Sequence, residues 1–154
     1  MSHANMPPDA ELLIRQWKLE PHPEGGWYRE TWRGPPGDGG RATATSILFL
    51  LQRGERSHWH RIDASEIWLH HAGAPMRLTT ASGATVLRQS IGTDPSGGGV
   101  LQAVVDPGVW QSAEPEGEWS LVACVVAPGF DFAGFELAPP GWEPADAAQA
   151  RAAR

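Results

Sequence analysis

Apolar and polar positions repeat along this chain with two different periods. Residues 9–19 (DAELLIRQWKL) follow helical spacing, with Leu13, Ile14 and Trp17 on one face. Asp9 stands at the N-cap position behind Pro7 and Pro8, and Pro21 limits the helix on the other side. Beyond it the pattern turns to short runs rich in β-branched and large apolar residues. These predict strands within 25–33, 43–54, 56–62, 65–73, 74–83, 84–92, 100–108, 109–117, 118–129 and 132–138. Turn signals lie between them: GPPGDGG at 34–40, the pair Asp63 and Ala64, Ser82–Gly83, and TDPSGGG at 93–99. Many short strands closed by Gly and Pro turns imply an all-β sandwich or barrel with one N-terminal α-helix. Residues 1–8 and 143–154 are expected to be flexible tails around a single domain, the Ala-rich end after Pro140 forming a short helix or fraying.

Composition narrows the classes. A chain of 154 residues fits one domain with its own core. The net charge is −6 and the arginines are scattered singly, so the basic cluster that nucleic-acid phosphates require is missing. The longest apolar run, residues 46–51, is far too short to cross a bilayer. The first residues lack a secretory pattern, and a cytoplasmic location is expected. The single cysteine, Cys124, sits in an apolar run and is expected to be a buried structural thiol.

Candidate chemistry concentrates in residues 54–73 (GERSHWHRIDASEIWLHHAG). His58 and His60 are two apart in a strand, so their side chains are expected on one face. Glu66 opens the next strand across a short turn, where it can approach His60. Trp68 and His70 alternate with it, making Trp68 a pocket wall and His70 a further candidate, while His71 is expected in solvent and Trp59 on the opposite face. Two imidazoles and a carboxylate of this kind suit one divalent transition metal ion: Fe, Mn, Ni or Zn. The same residues also allow proton transfer without a metal, with His58 or His60 as base and Glu66 orienting the ring. A hydrogen-bonded core cluster without chemistry is the bland alternative.

The run resembles the first cupin motif, with Gly54, His58, His60, Glu66 and Gly73 at its family positions, one gap being shorter and one longer than usual. DPGVWQSAE at 106–114 is similar to the second motif, with Gly108 at the turn glycine and Gln111 where a third histidine is usual. LEPHPEGGWYRET at 19–31 and VAPGFDFAGFELA at 126–138 extend the likeness to a small cupin subfamily of unknown function, similar in outline to sugar-nucleotide epimerases. The resemblance implies a cupin-type double-stranded β-helix (jelly-roll) barrel, a homodimer, and a small-molecule ligand. It also implies His58, His60, Glu66 and Gln111 as a metal-ligand set, and Tyr28 as the acid of an epimerase-like site.

Three functions follow as expectations. The first is isomerisation or epimerisation of a small sugar-like or carboxylate-bearing metabolite by His58, His60, Glu66 and Tyr28. The second is a metal-dependent oxygenase or isomerase. The third is a ligand-binding module without turnover. Glu24 and Arg29 are candidate ligand contacts beside the Gly25–Gly26 turn, together with Trp68 and Gln111. Only one of the neighbours Trp110 and Gln111 can face the interior of a regular strand. His22 has no partner visible in the sequence.

Overall fold

A computed structural model describes residues 9–145; of the expected tails at 1–8 and 143–154, the first lies outside the described residues and the second does so from residue 146 onward. Helix α1 (Ala10–Gln16) begins where Asp9 accepts a 2.7 Å hydrogen bond from the Leu12 N–H. It ends earlier than Pro21 would require, because Lys18 takes a left-handed φ of 53° and turns the chain. The strands follow as β1 (Glu20–Pro21), β2 (Trp27–Arg33), β3 (Thr45–Gln52), β4 (Ser57–Ile62), β5 (Ser65–Gly73), β6 (Met76–Ser82), β7 (Thr85–Ile91), β8 (Gln102–Val105), β9 (Trp110–Pro115), β10 (Trp119–Ala127) and β11 (Phe135–Leu137). They form a six-stranded sheet, β1-β2-β3-β10-β5-β8, facing a five-stranded sheet, β11-β4-β9-β6-β7, with every named strand pair antiparallel. Among the described residues no helix is long and apolar enough to cross a membrane.

The period of two explains which side chains meet. On β3, Phe49 and Leu51 join Trp68, Met76, Leu78, Val122 and Cys124 between the sheets. The intervening Leu48 and Leu50 pack outward with Leu121 against Leu13, Ile14 and Trp17 of α1. β3 is therefore apolar on both faces, which is why its sequence runs almost without polar interruption. On β9, Gln111 is the inward residue, and Trp110 packs outside against Trp142. Trp59 also points away from the barrel interior, into a cluster with Ala81 and Ala138.

Two local irregularities place the site. The first is the turn at Gly25 and Gly26, where the His22 N–H donates to Gly26 O and the Gly25 N–H to His22 O. Gly25 has φ 112° and a Cβ there would lie 2.0 Å from the Arg56 carbonyl oxygen; Gly26 has φ 79° and a Cβ 2.4 Å from Leu51 Cδ2. Only glycine permits this approach, and it folds His22 and Glu24 over the open end of the barrel. The second is a bulge in β4, where Ser57 pairs with Ala113 but His60 pairs with Gln111, three steps against two.

Candidate functional site

One cavity of about 390 Å³ opens between the sheets at the end capped by the 22–26 turn. His60 and Ile62 reach it from β4, Glu66 from β5, Tyr28, Glu30 and Arg33 from β2, Cys124 and Val126 from β10, and His22 and Glu24 from the turn. The β4 bulge decides which of the two expected histidines arrives. The inward residues are Ser57 and His60, so His58 is rotated out, and its ring Nε2–H donates to the Pro139 carbonyl at 3.0 Å. The expectation that His58 and His60 share a face is corrected on that ground.

The polar groups form a connected buried cluster. His60 Nδ1 lies 2.8 Å from the His58 carbonyl oxygen, which can only accept, so Nδ1 carries a proton, and in the neutral ring Nε2 presents its lone pair. That lone pair faces Glu24 Oε2 at 3.1 Å. Glu24 Oε1 accepts from the Ser57 hydroxyl at 2.8 Å, and the Glu24 carbonyl accepts from the His58 N–H. Glu24 is 8% and His60 2% exposed. Burial pushes the Glu24 carboxyl up to about 8 and His60 below its ordinary value. Both shifts favour uncharged forms, so the 3.1 Å contact is a neutral hydrogen bond from a protonated Glu24 rather than an ion pair.

Glu66 enters from the opposite sheet. Its Oε1 accepts from Gln111 Nε2 at 2.7 Å, and Gln111 Oε1 in turn accepts from the Trp68 indole N–H at 2.8 Å. Burial and the nearby Glu24 raise Glu66 to about 7, against the opposing influence of His60 and hydrogen bonds from Gln111 and Cys124. Cys124 itself is pushed well above the usual thiol range by burial and by Glu66. It is an inert thiol in the cavity wall.

The mouth is mixed in charge. Arg33 pairs with Glu30 through two hydrogen bonds of 2.8 and 2.9 Å. Arg41 makes a fork with Asp63 at 2.8 and 3.0 Å and donates from Nε to the Gly129 carbonyl at 2.7 Å, tying the 34–42 loop to two others. Asp131, Phe130 and Phe132 complete the rim.

Residues 11–138 match the family model described as Cupin superfamily (DUF985). The chain belongs to the cupin superfamily. This cupin is 36% identical to a protein of Shewanella oneidensis whose solved structure it matches with a TM-score of 0.82, over 86% of this chain and 85% of that one. A hypothetical protein from Leishmania major aligns at 32% identity and a TM-score of 0.77, covering 84% and 86% of the two chains. An uncharacterised protein of Saccharomyces cerevisiae is 30% identical over 147 residues, 82% of this chain and 73% of its own length. Oxalate decarboxylase from Bacillus subtilis shares the fold at 14% identity and a TM-score of 0.60. As a member of this superfamily, the protein is a small-molecule-binding cupin.

The ligand set implied by the motif is not assembled in this cupin. His58 faces Pro139, the Gln111 carbonyl is taken by Trp68, and its amide nitrogen faces Glu66. Among the described residues no group of three or more His, Cys, Asp or Glu side chains is arranged to hold a metal ion. The donor set of His58, His60, Glu66 and Gln111 therefore does not fit a divalent ion.

The remaining candidates divide. Tyr28 and Glu24 line the cavity. Trp68 and Gln111 do not; both are fully buried and brace Glu66 from beneath. Arg29 alternates out of the barrel and reaches the Trp17 carbonyl at 3.4 Å. His70 Nε2 meets Ala74 O away from the cavity. Sequence reasoning missed His22, Arg33 and Arg41. Arg33 joins the face of Tyr28 and Glu30 through a register shift between Glu30 and Trp32, which strict alternation cannot foresee.

Proposed function

We propose that this cupin is an isomerase or epimerase that moves a proton on a small, polar, carbonyl-bearing metabolite of sugar-like character. The observation that carries the proposal is a pair of proton-exchanging sites, one on each sheet: Glu66 on β5, and His60 with Glu24 on β4 and the glycine turn. Glu66 titrates near neutrality, where a general acid–base is most effective. Ionised, it removes a proton from carbon beside the carbonyl; protonated, it returns one. The His60–Glu24 pair, holding a proton between imidazole and carboxyl, exchanges it with the substrate from the other sheet. Tyr28 lines the same cavity, in edge contact with His22, and is the candidate acid for a leaving or migrating oxygen. The volume suits a small metabolite, and the balanced Arg and carboxylate pairs of the rim suit a neutral, hydroxyl-rich one.

The test is deuterium incorporation from heavy water into a panel of small aldoses, ketoses and hydroxyketones, followed by proton NMR. Incorporation that persists in chelator and disappears in Glu66→Gln is expected. No incorporation with any member, alongside ligand binding, would leave a binding module in place of an enzyme. Loss of incorporation in chelator would return the question to metal chemistry.

A further inference from the structure

Removing a proton beside a carbonyl leaves an electron pair that moves onto the carbonyl oxygen, and that oxygen needs a hydrogen-bond donor. Glu66 and the His60–Glu24 pair are assigned to proton exchange, Tyr28 to a leaving or migrating oxygen, and Arg33 and Arg41 are paired with Glu30 and Asp63, so the donor is sought in a remaining polar group of the wall, His22. His22 lines the same cavity, with its side chain only 6% exposed. The Glu24 backbone N–H lies 3.1 Å from His22 Nδ1, and a backbone N–H can only donate. Nδ1 must therefore be the unprotonated nitrogen, and in the neutral ring the proton sits on Nε2. Nδ1 is also 3.9 Å from Glu24 Oε2, too long for a hydrogen bond and, with Nδ1 an acceptor, no ion pair. The ring is held by edge-on contacts with Tyr28 at 4.5 Å and Phe49 at 5.5 Å. Burial and the neighbouring His60 lower His22 to about 4, which keeps it neutral across the working range. Nε2–H has no hydrogen-bond partner among the described residues and is not sealed off from the cavity, so it is open to a ligand there.

We propose that His22 is a catalytic hydrogen-bond donor whose Nε2–H binds the substrate carbonyl oxygen and stabilises the negative charge formed there. The C–H proton passes to the Glu66 carboxylate, the C–H electron pair forms the carbon–carbon double bond of the enolate, and the carbonyl pair moves to oxygen. His22 keeps its proton throughout, and return of the proton from carboxyl to carbon restores the carbonyl. A neutral imidazole suits this role because an imidazolium would transfer its proton rather than share it. The assignment rests on the proton-transfer function proposed above.

The experiment uses uniformly ¹⁵N-labelled wild-type protein and hydroxyacetone as probe. Multiple-bond ¹H–¹⁵N correlations, with His22 assigned by its loss in His22→Gln, read the tautomer directly. The Nε2–H form at neutral pH, with a shift of that resonance on adding hydroxyacetone, is expected. An Nδ1–H form, an imidazolium, or no shift at saturating hydroxyacetone overturns the proposal. Where deuterium exchange is measurable, His22→Phe, which keeps a ring but loses the donor, lowers kcat about 100-fold with a smaller change in KM. His22→Gln, which restores an amide donor, recovers part of that loss; equal loss in both variants overturns the proposal. Absence of exchange in the wild type would sink the proton-transfer function alone, because tautomer and probe shift still decide whether His22 is a ligand donor.

Discussion

Replacing Glu24 by Gln separates a neutral buried pair from a buried ion pair. In the protonated state Glu24 accepts from Ser57 through Oε1 and donates to His60 through Oε2. Glutamine keeps both contacts, its carbonyl accepting and its amide donating. The folded carboxyl titrates near 8 against an ordinary 4.5, so the folded protein holds its proton longer than the unfolded chain. The group's contribution is complete below about 4.5 and is lost as pH rises through about 8. That span of roughly three and a half pH units, at about 1.4 kcal/mol each, sets an upper bound of about 5 kcal/mol. Glu24→Gln is therefore expected to lie within about 1 kcal/mol of wild type at pH 4.5 and to be more stable by about 3–5 kcal/mol at pH 9. Urea denaturation at the two pH values measures both differences. A loss of about 3–5 kcal/mol at both pH values is the signature of a broken buried ion pair and would refute the argument.

The rate of deuterium exchange should rise with pH through about 7 as Glu66 ionises, and a flat profile would remove Glu66 as the base. His58→Ala should leave exchange within about twofold and cost about 1 kcal/mol, the value of its single bond to Pro139, and a loss of activity of 100-fold or more would restore His58 to the site. Gly26→Ala should cost about 2–4 kcal/mol, from positive φ and the clash with Leu51, and should expose Glu24; thermal melting with unchanged stability would show that the turn is less constrained than described.

Much of the barrel was legible because it depends on regular alternation. The Asp9 cap, the α1 face and the outward Trp59 follow from periods of 3.6 and 2, and so does the opposition of Trp110 and Gln111, though not which of the two faces inward. The site lies where those periods break. A one-residue bulge in β4 replaces His58 with Ser57 on the inner face, and a register shift in β2 brings in Arg33. His22 and Glu24 reach the cavity through a glycine turn whose pairing with Arg56 and Leu51 is a tertiary contact. The Gly25–Gly26 pair did signal a close backbone approach, yet nothing local tells which side chains it would fold inward. Glu66 was found by motif, but its role changes: Glu24, not Glu66, directly faces His60.

Carboxyl ¹³C titration of glutamate-labelled protein, assigned with Glu24→Gln and Glu66→Gln, tests the centre of the account most directly. Glu66 is expected to titrate near 7 and Glu24 near 8, leaving two proton-holding groups at neutral pH on opposite walls of one cavity. Two carboxyls titrating near the ordinary 4.5 would make both permanently ionised, and the proton-transfer site described here would not exist.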